Sequence, residues 1–298
     1  LVFFLGGKMK CSKEHKSFKS QIEILRERGI VISNEDKLVN FLSNVNYYKF
    51  KNYLKYFEIG KDLYKNCDVE EVIDLYYFDR ELRNIILLYL EKIEISIKTK
   101  IAYIISGKYG AFGHLDKSNF YEIFNFDDYI KRISILERSS KEEFVKHYFS
   151  IYEEENHVPI WILIEIIPFG NISKMYEYML NDDKKEVSKK FDVSKPDFES
   201  WLENITLLRN FCAHNSIIWN KKINSVARKS KKWKQNIKWD KISGMIFLLN
   251  YLVKQINPQF SSERLYTLLS DFHENHNAKF KELGFQEKND IRFLKDIS

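Results

Sequence analysis

The chain has 298 residues and carries 48 Lys and Arg against 42 Asp and Glu, a net charge of +6, and that length allows one large domain or two ordinary ones. Apolar residues make up 44% and aromatics 15%, enough to fill a sizeable core, which excludes a disordered chain. Gly and Pro number only 10 and 4, where average usage gives about two and a half times as many, so turn-dense all-β architectures are disfavoured and long helices are expected.

Residues 1–8, Leu-Val-Phe-Phe-Leu-Gly-Gly-Lys, have neither a basic leader nor a cleavage site and read as a cloning scar ahead of Met9. From Ser12 to Arg28, Phe18, Ile22 and Leu25 recur at spacings of four and three, which predicts an amphipathic helix ending at Gly29. Ser33 and Asp36 then suit a helix start running to about Ser43. In Asn46-Tyr-Tyr-Lys-Phe-Lys-Asn-Tyr-Leu-Lys-Tyr-Phe57 aromatics and lysines interleave. Tyr47, Tyr48, Lys49 and Lys51 suit base stacking and phosphate contact, but Tyr47, Phe50, Tyr53, Leu54 and Phe57 equally suit the buried stripe of a helix.

Asp68 with Glu71 caps the longest predicted helix, about 37 residues, because no Gly or Pro follows until Gly107. Leu75, Phe78, Leu82, Ile86, Tyr89, Ile93, Ile97 and Ile101 form its apolar seam, as in a helix bundle or dimer. Glu91, Glu94 and Lys98 share an adjoining face. Two carboxylates a turn apart suit a cation, while Glu94 with Lys98 is also an ordinary i,i+4 ion pair. Gly107, Gly110 and Gly113 form a loop whose context does not fit a nucleotide-binding turn. Phe126 to Tyr152 reads as one or two helices, and Trp161 to Ile167 as an apolar helix broken at Pro168-Phe-Gly170. Further helices are expected at Ser173 to Leu180, Lys184 to Phe191, Phe198 to about Cys212, Lys241 to Gln255 and Ser262 to Phe272.

The three cysteines, Cys11, Cys67 and Cys212, are scattered, which fits a reducing cytoplasm and no disulfide framework. The longest uncharged apolar stretch, Ile242 to Val253, has 12 residues, well below the roughly 20 that span a bilayer. His273 and His276 lie one turn apart with no third ligand in view, so no metal site is expected.

The net charge is unevenly placed. Lys221 to Lys241 holds nine Lys or Arg against Asp240 alone, a local +8 with Trp233 and Trp239 among the lysines. Lysines neutralise phosphates and tryptophan stacks on unpaired bases, so Lys221, Lys222, Arg228, Lys229, Lys231, Lys232, Trp233, Lys234 and Lys238 are candidate RNA contacts. The same segment also suits a solvated face with its tryptophans in the core.

Immediately before it, Arg209 and His214 stand five residues apart near the end of an apolar helix. Ten Arg and seven His in a chain of this length give roughly 0.7 such pairs by chance, so the spacing alone decides nothing. Chemically, an imidazole can move a proton to or from ribose and phosphate oxygens near neutral pH, and a guanidinium can hold a phosphate as charge develops. On a regular helix the two side chains diverge by about 140°. Either the helix ends within the motif or a second copy completes the site, and small Cys212 and Ala213 permit that copy to approach. The structural alternative pairs Arg209 with Glu199 or Glu203 and leaves His214 as a helix C-terminal cation.

Six phrases occur in order over about residues 20 to 225: Asn46-Tyr-Tyr-Lys-Phe50, Leu75-Tyr-Tyr-Phe-Asp-Arg-Glu-Leu-Arg83, Leu90-Glu-Lys-Ile-Glu-Ile95, Pro159-Ile-Trp161, Phe169-Gly-Asn-Ile-Ser173, and Leu208-Arg-Asn-Phe-Cys-Ala-His214 with Trp219-Asn220. In these the chain resembles the Abi-like abortive-infection proteins of bacteria, the AbiD and AbiF group. The resemblance implies an all-α fold with a HEPN-type bundle, whose R-x4-6-H motif cuts RNA in dimers or paired domains. By that resemblance Arg209 and His214 are the catalytic pair, and Asn210 orients the histidine or the phosphate. The family pattern often places a basic residue before the Trp-Asn pair, where this chain has Ile217 and Ile218; Lys221 and Lys222 are then the substitutes.

The expected organisation is an N-terminal helical region over 9–66, a HEPN-like domain over 67–256 and a short C-terminal helical extension over 257–298. The expected function is a cytoplasmic, metal-independent, cofactor-free endoribonuclease toxin of phage defence. It is expected to be a homodimer, restrained by a structured antitoxin RNA, without membrane or DNA partners. A non-catalytic RNA-binding module and a dimerising protein-interaction scaffold are the alternatives.

Overall fold

The computed structural model describes residues 14–223, 226–228 and 237–295. The chain divides into two compact units, Leu1–Phe78 and Asp79–Ser298. Helices dominate both, as the low Gly and Pro content predicts.

The first unit opens with α1 (Phe18–Glu27), whose apolar Ile22 and Leu25 are buried. Its cap is Ser17, which accepts from the Ser20 amide, so the helix begins later than the charged run suggests. β1 (Ile30–Val31) follows, then α2 (Glu35–Asn44). Asn34 rather than Ser33 caps α2, its side chain accepting from the Lys37 amide; Ser33 instead donates to Asp68. α3 (Tyr47–Leu54) buries Phe50, Tyr53 and Leu54. Two strand pairs escape the sequence reading: β2 (Glu58–Gly60) with β3 (Leu63–Tyr64), antiparallel, and β1 with β4 (Cys67–Asp68), parallel in the register Ile30 to Cys67. Each is two or three residues long, too short to show an alternation in the sequence. Edge-on aromatic contacts of Phe41 with Phe50 and Tyr76, at 5.6 and 5.0 Å, fill the middle of this unit.

α4 runs from Val69 to Tyr109, 41 residues, with the Asp68 carboxylate accepting the Glu70 amide at its start. All eight residues of the expected apolar seam, Leu75 to Ile101, are buried. The helix passes through Gly107 and stops at Gly110, which takes φ +80°, a region that costs other residues a Cβ clash.

In the second unit the stretch 126–152 forms two helices, α5 (Phe126–Ser139) and α6 (Glu143–Ile151). α7 (Ile160–Ile166) and α8 (Phe169–Tyr178) are parted at Pro168, as expected. α9 spans Asn181–Lys189. α10 (Lys195–Ala213) starts three residues before the expected Phe198, because Ser194 caps it and a proline sits in its first turn. It buries Trp201, Leu202, Ile205 and Leu208 and packs against α8, α9 and α11. α11 (Ile242–Ile256) contains the uncharged apolar stretch, whose residues except Tyr251 are buried inside the unit. α12 (Glu263–Asn275) and the single turn α13 (Asn277–Phe280) follow. Among the described residues no helix is long and apolar enough to cross a membrane.

Candidate functional site

The end of α10 fixes where the Arg and His of the motif stand. The helix is regular to Ala213, and His214 is its C-terminal cap residue, at φ −92° and ψ 14°. The Ser216 amide donates back to the Phe211 carbonyl at 2.8 Å and the Asn215 amide to Cys212 at 3.1 Å, the paired bonds of a Schellman ending. That ending needs a left-handed residue, and Asn215 supplies it at φ +53°. Asn210, Ala213 and His214 are exposed. Cys212 is buried, and burial pushes its thiol up to about 12. Of the two small residues expected at an approaching surface, only Ala213 is therefore on the outside.

Arg209 lies against α4. Its Nε lies 3.7 Å from Glu94 on α4, and Glu94 also pairs with Lys98 at 3.1 Å. The i,i+4 ion pair read from the sequence is thus present, and it extends to the motif arginine. Glu94 is the acid that Arg209 meets here; Glu199, one of the two suggested by the sequence, pairs with Lys184 at 2.7 Å instead. A cavity of about 390 Å³ opens at this point, lined by Leu87, Leu90, Glu91, Glu94, Ile95, Lys98, Glu165 and Arg209. Three carboxylates against two cations make its wall net acidic. His214, one residue past the end of the helix, does not line it.

The chain beyond His214 is held by two residues that the sequence reading passed over. Asp79 and Arg83, on α4, are 0% and 3% exposed and paired with each other. Asp79 Oδ1 accepts the amides of Ile218 at 3.1 Å and Trp219 at 2.8 Å, and Arg83 Nη1 donates to the Ser216 carbonyl at 3.2 Å. Ile218 and Trp219 are 1% exposed and Ile217 is half-buried, so of the two residues standing where a basic one was expected, Ile218 belongs to the core. In the sequence an i,i+4 Asp and Arg on a helix look like surface charge; the resembling phrase around them was the one sign of something more.

The candidate RNA contacts fall into three groups. Lys221 lies with its ammonium 3.7 Å from the centre of the Phe211 ring. Arg228 is exposed, its Nε 3.6 Å from Asp197, while its backbone is held by Ser200 and by the Trp201 indole. Lys222 and Lys238 are exposed. Lys229, Lys231, Lys232, Trp233 and Lys234 lie outside the described residues. In the first unit, Tyr47, Tyr48 and Lys51 line a cavity of about 610 Å³ together with Arg28 and Asp62, and Lys49 is half-buried. Tyr48 is 63% exposed, whereas Phe50, Tyr53, Leu54 and Phe57 are core, so this helix divides between the two readings of its pattern. Lys51 and Arg28 both reach Asp62, at 2.6 and 3.6 Å.

The rings of His273 and His276 pack on Phe280 and Phe272, and among the described residues no group of three His, Cys, Asp or Glu is placed to hold a metal. Compared with known proteins, the chain matches the family model described as Abi-like protein over residues 40–220. No curated protein and no solved structure matches it.

Proposed function

Since the chain belongs to the Abi-like protein family, we propose that it is an abortive-infection protein acting as a metal-independent endoribonuclease toxin of phage defence, with Arg209 and His214 at its active centre. The observation that carries this reading is the end of α10. It exposes an imidazole at a fixed helix terminus and, five residues earlier, leaves a guanidinium 41% exposed on a cavity wall. The pair is loose, Nε standing 3.7 Å from the carboxylate, and Arg209 keeps 41% of its side chain open to a phosphate while Glu94 keeps 18%.

One imidazole takes the proton from the ribose 2′-hydroxyl as that oxygen attacks phosphorus. A second returns a proton to the departing 5′-oxygen, leaving a 2′,3′-cyclic phosphate and a 5′-hydroxyl. A single chain offers one such His, and it does not line the cavity that holds Arg209. The reaction therefore uses a homodimer that brings His214 of both copies to one phosphate held by Arg209. Asn210, exposed on the turn between them, orients phosphate or imidazole. Lys222, Arg228 and Lys238, with the lysines between them, guide the strand, and a structured antitoxin RNA bound on this basic surface restrains the toxin.

A second reading, a non-catalytic RNA-binding module, is favoured by one feature: a cation at a helix C-terminus is also simply stabilising. The substitution His214→Ala separates them. The nuclease reading expects loss of RNA cleavage and of toxicity, with RNA affinity kept within about two-fold, and cleavage by the wild type that survives EDTA. Unchanged toxicity, or cleavage abolished by EDTA and restored by a divalent metal, overturns it.

A further inference from the structure

The Asp79 and Arg83 pair is unlike the other ion pairs of the second unit that touch α4, because it is completely buried and its partners are backbone atoms from far along the chain. Burying two charges is costly and is retained only where their remaining hydrogen-bonding capacity is met. One short segment contributes three of those partners: the Ile218 and Trp219 amides on Asp79, and the Ser216 carbonyl on Arg83. That segment starts two residues after His214. On its other side His214 is tied to α10 by its own amide on Asn210 and by the Ser216 amide on Phe211. The imidazole thus stands on a backbone turn fastened at both ends, with its outer fastening anchored on α4.

We propose that Asp79 and Arg83 are positioning residues that set the direction of the His214 imidazole through the Ser216–Trp219 segment, without touching substrate themselves. The proposal rests on the nuclease reading for its catalytic consequence only; the positioning is a property of the free protein. A frame of this kind matters because reacting groups about 1 Å out of place can cost about a hundred-fold in rate. It also requires that the segment be apolar at Ile218 and Trp219, which hold it down by burial while the pair sets its register.

The test uses the full chain with labelled histidine, the His214 ring signals being assigned by His214→Gln. Asp79→Asn keeps an acceptor for the amides but loses the charge that Arg83 pairs with. Three results are expected together: exchange of the Ile218 and Trp219 amides at least about ten-fold faster, His214 ring signals shifted or broadened while those of His147 and His273 stay, and kcat for RNA cleavage down about thirty-fold or more with KM within about two-fold. Arg83→Lys, which keeps a cation beside Asp79, should lose less kcat than Asp79→Asn, and the same three readouts decide the proposal on it if Asp79→Asn does not fold. Unprotected amides with unchanged His214 signals and kcat overturn the proposal. If His214→Ala still cleaves RNA, the nuclease reading has failed. The His214 ring signals in the Asp79 variant then decide the positioning on their own.

Discussion

His114 is the residue whose surroundings make the sharpest demand on solution conditions. It sits in the turn after α4 with no exposed surface, and among the described residues neither ring nitrogen has a partner in good hydrogen-bonding geometry, the Ala111 backbone being the nearest acceptor to count. Burial, with a smaller contribution from nearby His157, lowers its pKa from 6.5 to about 3, which the Ala111 backbone offsets only in part. The folded protein therefore holds this ring neutral, while the unfolded chain takes up a proton below about pH 6.5. Stability is complete above that value and falls as pH drops toward 3, by at most about 1.4 kcal/mol per pH unit. Glu137 works in the opposite direction: burial raises its pKa despite the His157 ring at 2.7 Å and the Val158 amide at 3.0 Å. The folded state therefore holds that proton more tightly than the unfolded chain does. Comparing wild type with His114→Phe cancels the Glu137 contribution. The melting temperature of the wild type should drop more steeply between pH 7.5 and 5 than that of the variant, and parallel curves would show that His114 is protonated in the fold.

At the scale of elements, the end of α4 turns on two glycines with opposite roles. Gly107 is inside the helix, exposed, with open space where a Cβ would go; Gly110 carries φ +80° just beyond it. Gly107→Ala should stabilise by about 0.5–1 kcal/mol through helix propensity, and Gly110→Ala should destabilise by about 1–2 kcal/mol through the left-handed backbone. Urea midpoints moving in the same direction for both would contradict this placement of the terminus. The same pair shows what the sequence reveals. The eight seam residues of α4 have no competing pattern, so the helix is legible along its length, but either glycine could end it and only φ decides which. The start of α10 was readable in Ser194 and the proline two residues on, and the apolar run beginning at Phe198 masked it. The candidate site was legible at Arg209 and His214 from spacing and family phrases. Its support was not, because Asp79 and Arg83 meet Ser216, Ile218 and Trp219 across more than 130 residues, a pairing that no local period encodes.

For the molecule as a whole, the +6 of the composition is an average over an uneven chain, and the basic segment is itself uneven in what its charges do. Lys221 rests against Phe211, Arg228 meets Asp197, and Lys241 meets Glu282 at 3.3 Å, so these three are tied to the protein's own surface. A cation engaged in this way must release its partner to take a phosphate, and it adds less to the ion displacement that RNA binding produces. On the proposed RNA-binding reading, Lys229, Lys231, Lys232 and Lys234 are the cations to test for salt-dependent affinity. Replacing Lys229, Lys231, Lys232 and Lys234 together by Gln should flatten the plot of log affinity against log salt by up to about 3, at roughly 0.7 for each single-strand phosphate that a lysine no longer neutralises. Replacing Lys221 and Lys241 by Gln should flatten it much less and should lower the melting temperature instead. Titrations of an unpaired RNA over a range of salt concentrations measure both slopes. An unchanged slope in the four-lysine variant would place the RNA elsewhere on the chain, with the cavity of Tyr47, Tyr48, Lys51 and Arg28 as the next surface to test.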